Sequence, residues 1–280
     1  MAKTPSTDLS VKDEKTSALA LPDFMRGDQN TGVQGIDQED VALPRISLLQ
    51  ALSPQVSDGS GRPGEYFHLL SEDNLGKSFK MIPILVTKSY LLWRPRNAGG
   101  GLLARADDGV NWSPPDSEFT FELDGKRITW RTAKTVKESK LDNWGSADPS
   151  NPQSLPAATK MLNVLAYLPD FPHLSPSIIS LQRALLKPGR KFVGRLQMSQ
   201  APTYGMMFTM GSEKVVSPKG EFMSPTFVSD GFVQDPALYA RLKDMNDHFR
   251  KVGVKVAEKG LDEEAETAGS EGGPGDKTEF

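Results

Sequence analysis

Residues 78–96, SFKMIPILVTKSYLLWRPR, form the longest strand-like run in the chain, rich in β-branched and aromatic side chains and closed by Asn97-Ala98-Gly99-Gly100-Gly101. Such a run fits a pleated, half-buried surface, so the chain is expected to fold around a β-sheet. Pro83 cannot donate to a ladder and predicts an edge strand or a bulge. Regular alternation places Lys80, Lys88, Tyr90, Arg94 and Arg96 on one face and Phe79, Met81, Leu85 and Trp93 on the other. One face of this strand is then basic.

Further strands are predicted at Tyr66–Leu70, at 159–168 (TKMLNVLAYL), at Ser177–Gln182, at Tyr204–Met210 and at Val215-Val216, with Gly211–Lys214 separating the last two. Phe119–Leu123 and Arg127–Arg131 flank Asp124-Gly125-Lys126, a hairpin tip in which glycine supplies a positive φ. Residues 183–198 read as a helix that starts at Pro188-Gly189 and carries Lys187, Arg190, Lys191 and Arg195. Leu238, Leu242, Met245 and Phe249 recur at helical spacing after Pro236, which marks a closing amphipathic helix. Pro44 breaks the segment 38–50 into a short extended piece and a turn of helix. The fold class that suits this order is mainly β (α+β): an oligonucleotide-binding-like small β-barrel with insertions, a basic helix and a C-terminal amphipathic helix. A β-sandwich suits it nearly as well.

Both ends of the 280-residue chain differ from its middle. Residues 257–280 hold eight acidic side chains against two lysines, a net of −6, and almost nothing apolar; residues 1–40 have a net of −4. With −3 for the whole chain, residues 41–256 carry +7. Segments so poor in apolar surface cannot offset the entropy of ordering, so the expected organisation is a disordered arm at 1–36, a folded body at 37–256 and a disordered acidic tail at 257–280. Charges act locally, within about 10 Å at 0.1 M salt, so the basic body matters more than the total.

There is no cysteine, no P-loop and no G-x-S-x-G elbow, and His68, His173 and His248 stand far apart. No catalytic residue, metal site or cofactor is therefore expected. Glu122-x-Asp124-x-Lys126 resembles a nuclease element, but its Asp-Gly pair already serves the hairpin tip. No signal peptide or membrane span is readable, so a soluble cytoplasmic protein is expected.

Coating a single strand needs cations for phosphates and aromatic faces for bases. The candidates are Lys80, Lys88, Tyr90, Trp93, Arg94, Arg96, Arg127, Trp130, Arg131, Lys187, Arg190, Lys191 and Arg195. Tyr90 shares a face with Lys88 and Arg94 and is the better stacking residue; Trp93 and Trp130 either stack bases or fill the core.

The acidic tail, closed by Glu279 and Phe280, resembles that of single-stranded-DNA-binding proteins. QEDVALPRISLLQALSP (38–54), AATKMLNVLAYLP (157–169) and SIISLQRALLKPGRKF (177–192) resemble bacteriophage proteins, some of them described as single-stranded-DNA-binding proteins. The resemblance implies a phage protein of replication or recombination that coats single-stranded DNA. Its tail residues Asp276, Glu279 and Phe280 would recruit partner proteins, and the tail would compete with DNA. Unlike its bacterial counterparts, this tail is interrupted by Gly-Gly-Pro-Gly and Lys277. The alternatives at this stage are a phage structural or assembly protein and a strand-annealing protein. Homo-oligomer formation stays open.

Overall fold

The computed structural model describes residues 43–254 apart from 124, 218 and 219. The expected arm and tail, and Asp124 of the hairpin tip, lie outside the described residues. In chain order the elements are β1 (Arg45–Leu48), the one-turn helix α1 (Pro54–Ser57), β2 (Tyr66–His68), β3 (Asp73–Gly76), β4 (Ser78–Trp93), β5 (Leu102–Ala106), β6 (Glu118–Leu123), β7 (Lys126–Arg131), the one-turn helix α2 (Val136–Ser139), β8 (Ala158–Tyr167), β9 (Ser177–Gln182), α3 (Leu186–Met198), β10 (Met206–Ser217), β11 (Gly220–Phe232) and α4 (Pro236–Val252). The fold is mainly β, as expected, and its main sheet is a strongly curled half-barrel.

The sheet runs β11-β10-β4-β8-β9-β1-β2-β3, with β5 added to the far part of β4 and β6–β7 a separate hairpin. Every pairing in it is antiparallel except β1 with β9. Its two ends meet without a ladder. The Gln50 side chain, just after β1, accepts the Met223 N–H of β11 at 2.8 Å and donates to the Met223 carbonyl at 3.0 Å. The Tyr66 hydroxyl donates to the Gly211 carbonyl at 2.7 Å, and the Ser212 hydroxyl donates to the Gly64 carbonyl. Further along β11, Pro225 has no N–H and the Phe227 carbonyl accepts from Arg195, so this edge offers little to an invading strand.

The inner face buries Ile46, Tyr66, Phe79, Met81, Val164, Ile179, Phe208 and Phe227, and α3 closes over them with Phe192 and Leu196. Phe192 stacks on Phe227 at 4.3 Å between centroids and meets Phe208 edge-on at 5.1 Å. Gly189 lets the helix approach: a Cβ there would stand 2.9 Å from Leu181 Cδ1 and 3.2 Å from Leu162 Cδ1. The outer face, with Ile82, Ile84, Met161, Leu165 and Ile178, is covered by Leu242 and Phe249 of α4. The Asp235 side chain caps this helix by accepting the Ala237 N–H. A third cluster, around Trp112, Phe121 and Trp130, packs the insertion between β4 and β8 onto Tyr90 and Leu92.

Three expectations are corrected. The strands predicted at 204–210 and 215–216 are one continuous strand, β10, whose partner β11 went unread. Gly211 looked like a break but lies in the ladder opposite Thr226, where a Cβ would come within 2.9 Å of the threonine hydroxyl. Helix α3 starts two residues before Pro188, which the first turn tolerates because its N–H groups have no intrahelical acceptors. Last, alternation along β4 does not run through. Pro83 pairs with Ala166 and Leu85 with Leu165, so Ile84 is an extra, bulged residue in a strand interior to the sheet. Its carbonyl accepts from Asn246 Nδ2 at 2.7 Å and Thr203 Oγ1 at 3.0 Å. Beyond the bulge, side-chain parity reverses, so Lys80 faces the opposite side from Lys88 and Tyr90.

Candidate nucleic-acid interface

In the β4–β8 ladder Lys88 pairs with Leu162 and Tyr90 with Lys160. Leu162 and Val164 belong to the inner cluster, so Lys160, in step with both, points to the inner side too. Arg190 follows Gly189, the residue of α3 that rests on Leu162 and Leu181. Lys88, Lys160 and Arg190 thus come from two strands and a helix to one side of the sheet. The electrostatics agree with that placement. Burial, then Arg190, then Lys88 lower the pKa of Lys160 below its ordinary value, while Asp142 opposes them. Two cations held close enough to depress the proton affinity of a third constitute a site that an anion would relieve.

Helix α3 extends the charge. Its sequence, LKPGRKFVGRLQM, contains no acid, and Lys187, Lys191 and Arg195 are exposed at successive spacings of four. Like charges so spaced cost an isolated helix roughly 0.2–0.5 kcal/mol per pair. Arg195 is anchored to the Phe227 carbonyl. Arg183, just before the helix, is largely buried, and burial depresses its pKa.

The remaining candidates are placed elsewhere. Lys80 is on the outer side, and Arg94 and Arg96 lie beyond the end of β4. Arg127 and Arg131 stand opposite Glu122 and Glu118 in the hairpin, with Arg131 bridging to Glu118 at 2.7 Å, so that face is close to neutral. Tyr90 and Trp130 are core residues at 6% and 3% exposure. Trp130 packs edge-on against Phe121 at 4.7 Å and donates from Nε1 to the Ala147 carbonyl. Trp93 is half-buried against the α4-covered cluster. No stacking candidate named from the sequence therefore offers a fully open ring, because the insertion covers the face that alternation had left free. Asp276, Glu279 and Phe280 lie outside the described residues. Lys160 was missed; its parity with Leu162 and Val164 inside a buried strand was the signal that could have found it.

Among the described residues no group of three metal-ligating side chains comes together, and no helix is long and apolar enough to cross a membrane. Fold and site together define a mainly β half-barrel with a cationic inner rim. The family model for Pam3 phage gp34-like proteins matches residues 13–255, and the chain belongs to that phage protein family. Neither a curated protein nor a solved structure matches it.

Proposed function

We propose that this phage protein binds single-stranded DNA along the inner rim of its half-barrel and coats it during replication or recombination, without a catalytic centre. The observation that carries this reading is the convergence of Lys88, Lys160 and Arg190 on one side of the β4–β8 ladder, beside the acid-free helix α3. Such a row of cations suits a phosphate backbone, whose binding releases counterions and needs no base-specific contact. The acidic residues of 257–280, ending in Glu279 and Phe280, would recruit replication or recombination proteins and compete with DNA for the rim, aided by a local concentration that tethering raises to the millimolar range.

The test is anisotropy of a fluorescein-labelled oligo(dT) titrated with the full chain at two salt concentrations. Binding that weakens by roughly 0.7 log unit per log unit of salt for each phosphate neutralised is the expected result. No binding at low salt, or a flat salt profile, overturns it. A second reading, a phage assembly protein, draws on the β10–β11 hairpin. Its residues beyond Gly211 have no β4 partner and include Val216 at 72% exposure, a surface suited to a protein contact. That reading expects stoichiometric protein complexes and no response from oligo(dT).

A further inference from the structure

Trp144 is 57% exposed, while Trp112 and Trp130 are each 3% exposed. In the otherwise polar loop Asp142-Asn143-Trp144-Gly145-Ser146, this large ring is more than half exposed and keeps surface accessible to a ligand. The loop that carries it is firmly held. Gly145 donates to the Ser154 carbonyl at 2.7 Å and Ala147 to the Leu155 carbonyl at 3.1 Å. The Ser146 hydroxyl donates toward the Leu141 and Asn143 carbonyls and accepts the Ala157 N–H at 2.9 Å. Gly145 has a φ of +86°, and a Cβ there would meet the Pro152 backbone at about 3.1 Å, so its lack of a side chain is required for this turn.

The loop also borders the cationic rim. Ala158 at the start of β8 donates to the Leu141 carbonyl at 2.9 Å, and Lys160 lies two residues further along that strand. Asp142, two residues before Trp144, is near enough for its charge to raise the pKa values of both Lys160 and Tyr90. Trp144 is therefore carried, on a support ordered in advance, by the loop whose Leu141 bonds the start of β8 and whose Asp142 reaches Lys160 of the cluster. A ring carried on an ordered backbone loses less freedom when a base lies on it than one on a flexible loop.

We infer that Trp144 is the base-stacking platform of this protein: phosphates of a single strand lie along Lys88, Lys160 and Arg190 while an unpaired base stacks on the exposed indole. This rests on the single-strand-binding reading and names the aromatic contact which that reading otherwise lacks. Stacking on an aromatic face is tolerant of base identity, so the contact requires an unpaired base rather than a particular sequence.

The experiment uses the full chain, with W144A and W144F, and two readouts: anisotropy of fluorescein-labelled oligo(dT) and tryptophan emission during titration with unlabelled oligo(dT). Circular dichroism melts first establish that both variants are folded. The expected result is quenching of wild-type emission, loss of most of that quenching in both variants, and anisotropy affinities weakened roughly 5- to 150-fold in W144A but far less in W144F. If the wild type binds oligo(dT) while W144A binds within twofold of it and is quenched as strongly, the platform is wrong and the single-strand reading stands. If W144F weakens binding as much as W144A, stacking on the ring is not the contact. If wild-type protein leaves the labelled oligo(dT) unchanged at low salt, both ideas fall together.

Discussion

Lys88 Nζ lies 5.4 Å from the centroid of the Tyr90 ring, two positions along the same strand and on the same side of the sheet. An aromatic ring whose face attracts a cation holds that cation in place, by about 0.5–1 kcal/mol where water still reaches it. Tyr90 is buried in the cluster that joins the insertion to β4, and burial, with the Asp142 charge, raises its pKa. It therefore acts as a fixed, neutral anchor that keeps Lys88 beside Lys160, rather than as a surface for a ligand.

From that arrangement follows the first prediction. If the rim binds a single strand as proposed, K88A, K160A and R190A each remove one phosphate contact, so each should flatten the dependence of log affinity on log salt by about 0.7. K80A, on the opposite side of the sheet beyond the bulge, should leave the slope unchanged. Oligo(dT) titrations over a salt series check both, and an equal effect of K80A would dissolve the rim as a distinct site.

Asp142 is the carboxylate whose charge reaches this cluster, where it supports the protonated form of Lys160 but repels a phosphate. D142N should tighten oligo(dT) binding, by roughly 1.5- to 5-fold at low salt given the usual strength of exposed charge pairs. The gain should shrink as salt screens it. Weaker binding of D142N would mean that Asp142 positions the cations rather than opposing the ligand.

The tail prediction needs only the charge of the sequence. Deleting residues 257–280 removes a net of −6 and should tighten DNA binding at low salt while abolishing any partner contact. Affinity unchanged at low salt counts against competition between tail and DNA.

Sheet closure gives a stability prediction. The Gln50 amide satisfies both the N–H and the carbonyl of Met223, standing in for a rung that no neighbouring strand supplies. Q50A loses both bonds in a partly buried place and should cost about 1–3 kcal/mol, read as a lower urea midpoint with an unchanged slope. Q50E, which keeps an acceptor for the Met223 N–H, should cost less than Q50A if the N–H bond is the important half.

What the sequence made legible was whatever local chemistry decides. The β-branched run of β4, the Asp-Gly hairpin tip and the Leu238–Leu242–Met245–Phe249 stripe each declare their element through near neighbours. What stayed hidden depends on distant partners. The Ile84 bulge is stabilised by Asn246 and Thr203, 162 and 119 residues away, and that one extra residue reverses which lysines share a face. Strand β11, GEFMSPTFVSDGF, reads as loop because of its serines, Pro225 and Gly231, yet Pro225 sits where no ladder N–H is required. Tyr90 looked free because nothing in its own segment announces that Trp112, Phe121 and Trp130 will cover it.

His68 gives the pH prediction. Its ring is buried, Nδ1 lies 3.1 Å from the Ser71 N–H that donates to it, and the Ser71 hydroxyl donates onward to Asp73 at 2.6 Å. Burial, aided by nearby His173 and opposed by Asp73, depresses its pKa below the ordinary 6.5. The unfolded chain then binds a proton more readily than the folded one. The stability this group contributes is complete above pH 6.5 and is lost as pH falls through that value toward the depressed one. Protonating Nδ1 would exchange the bond from the Ser71 N–H for one donated to Ser71 Oγ, 2.6 Å away. Urea midpoints should therefore decline between pH 7.5 and pH 5 in the wild type and decline less in H68L, whose side chain does not titrate. Parallel declines in the two proteins would assign the acid sensitivity to the carboxylates instead.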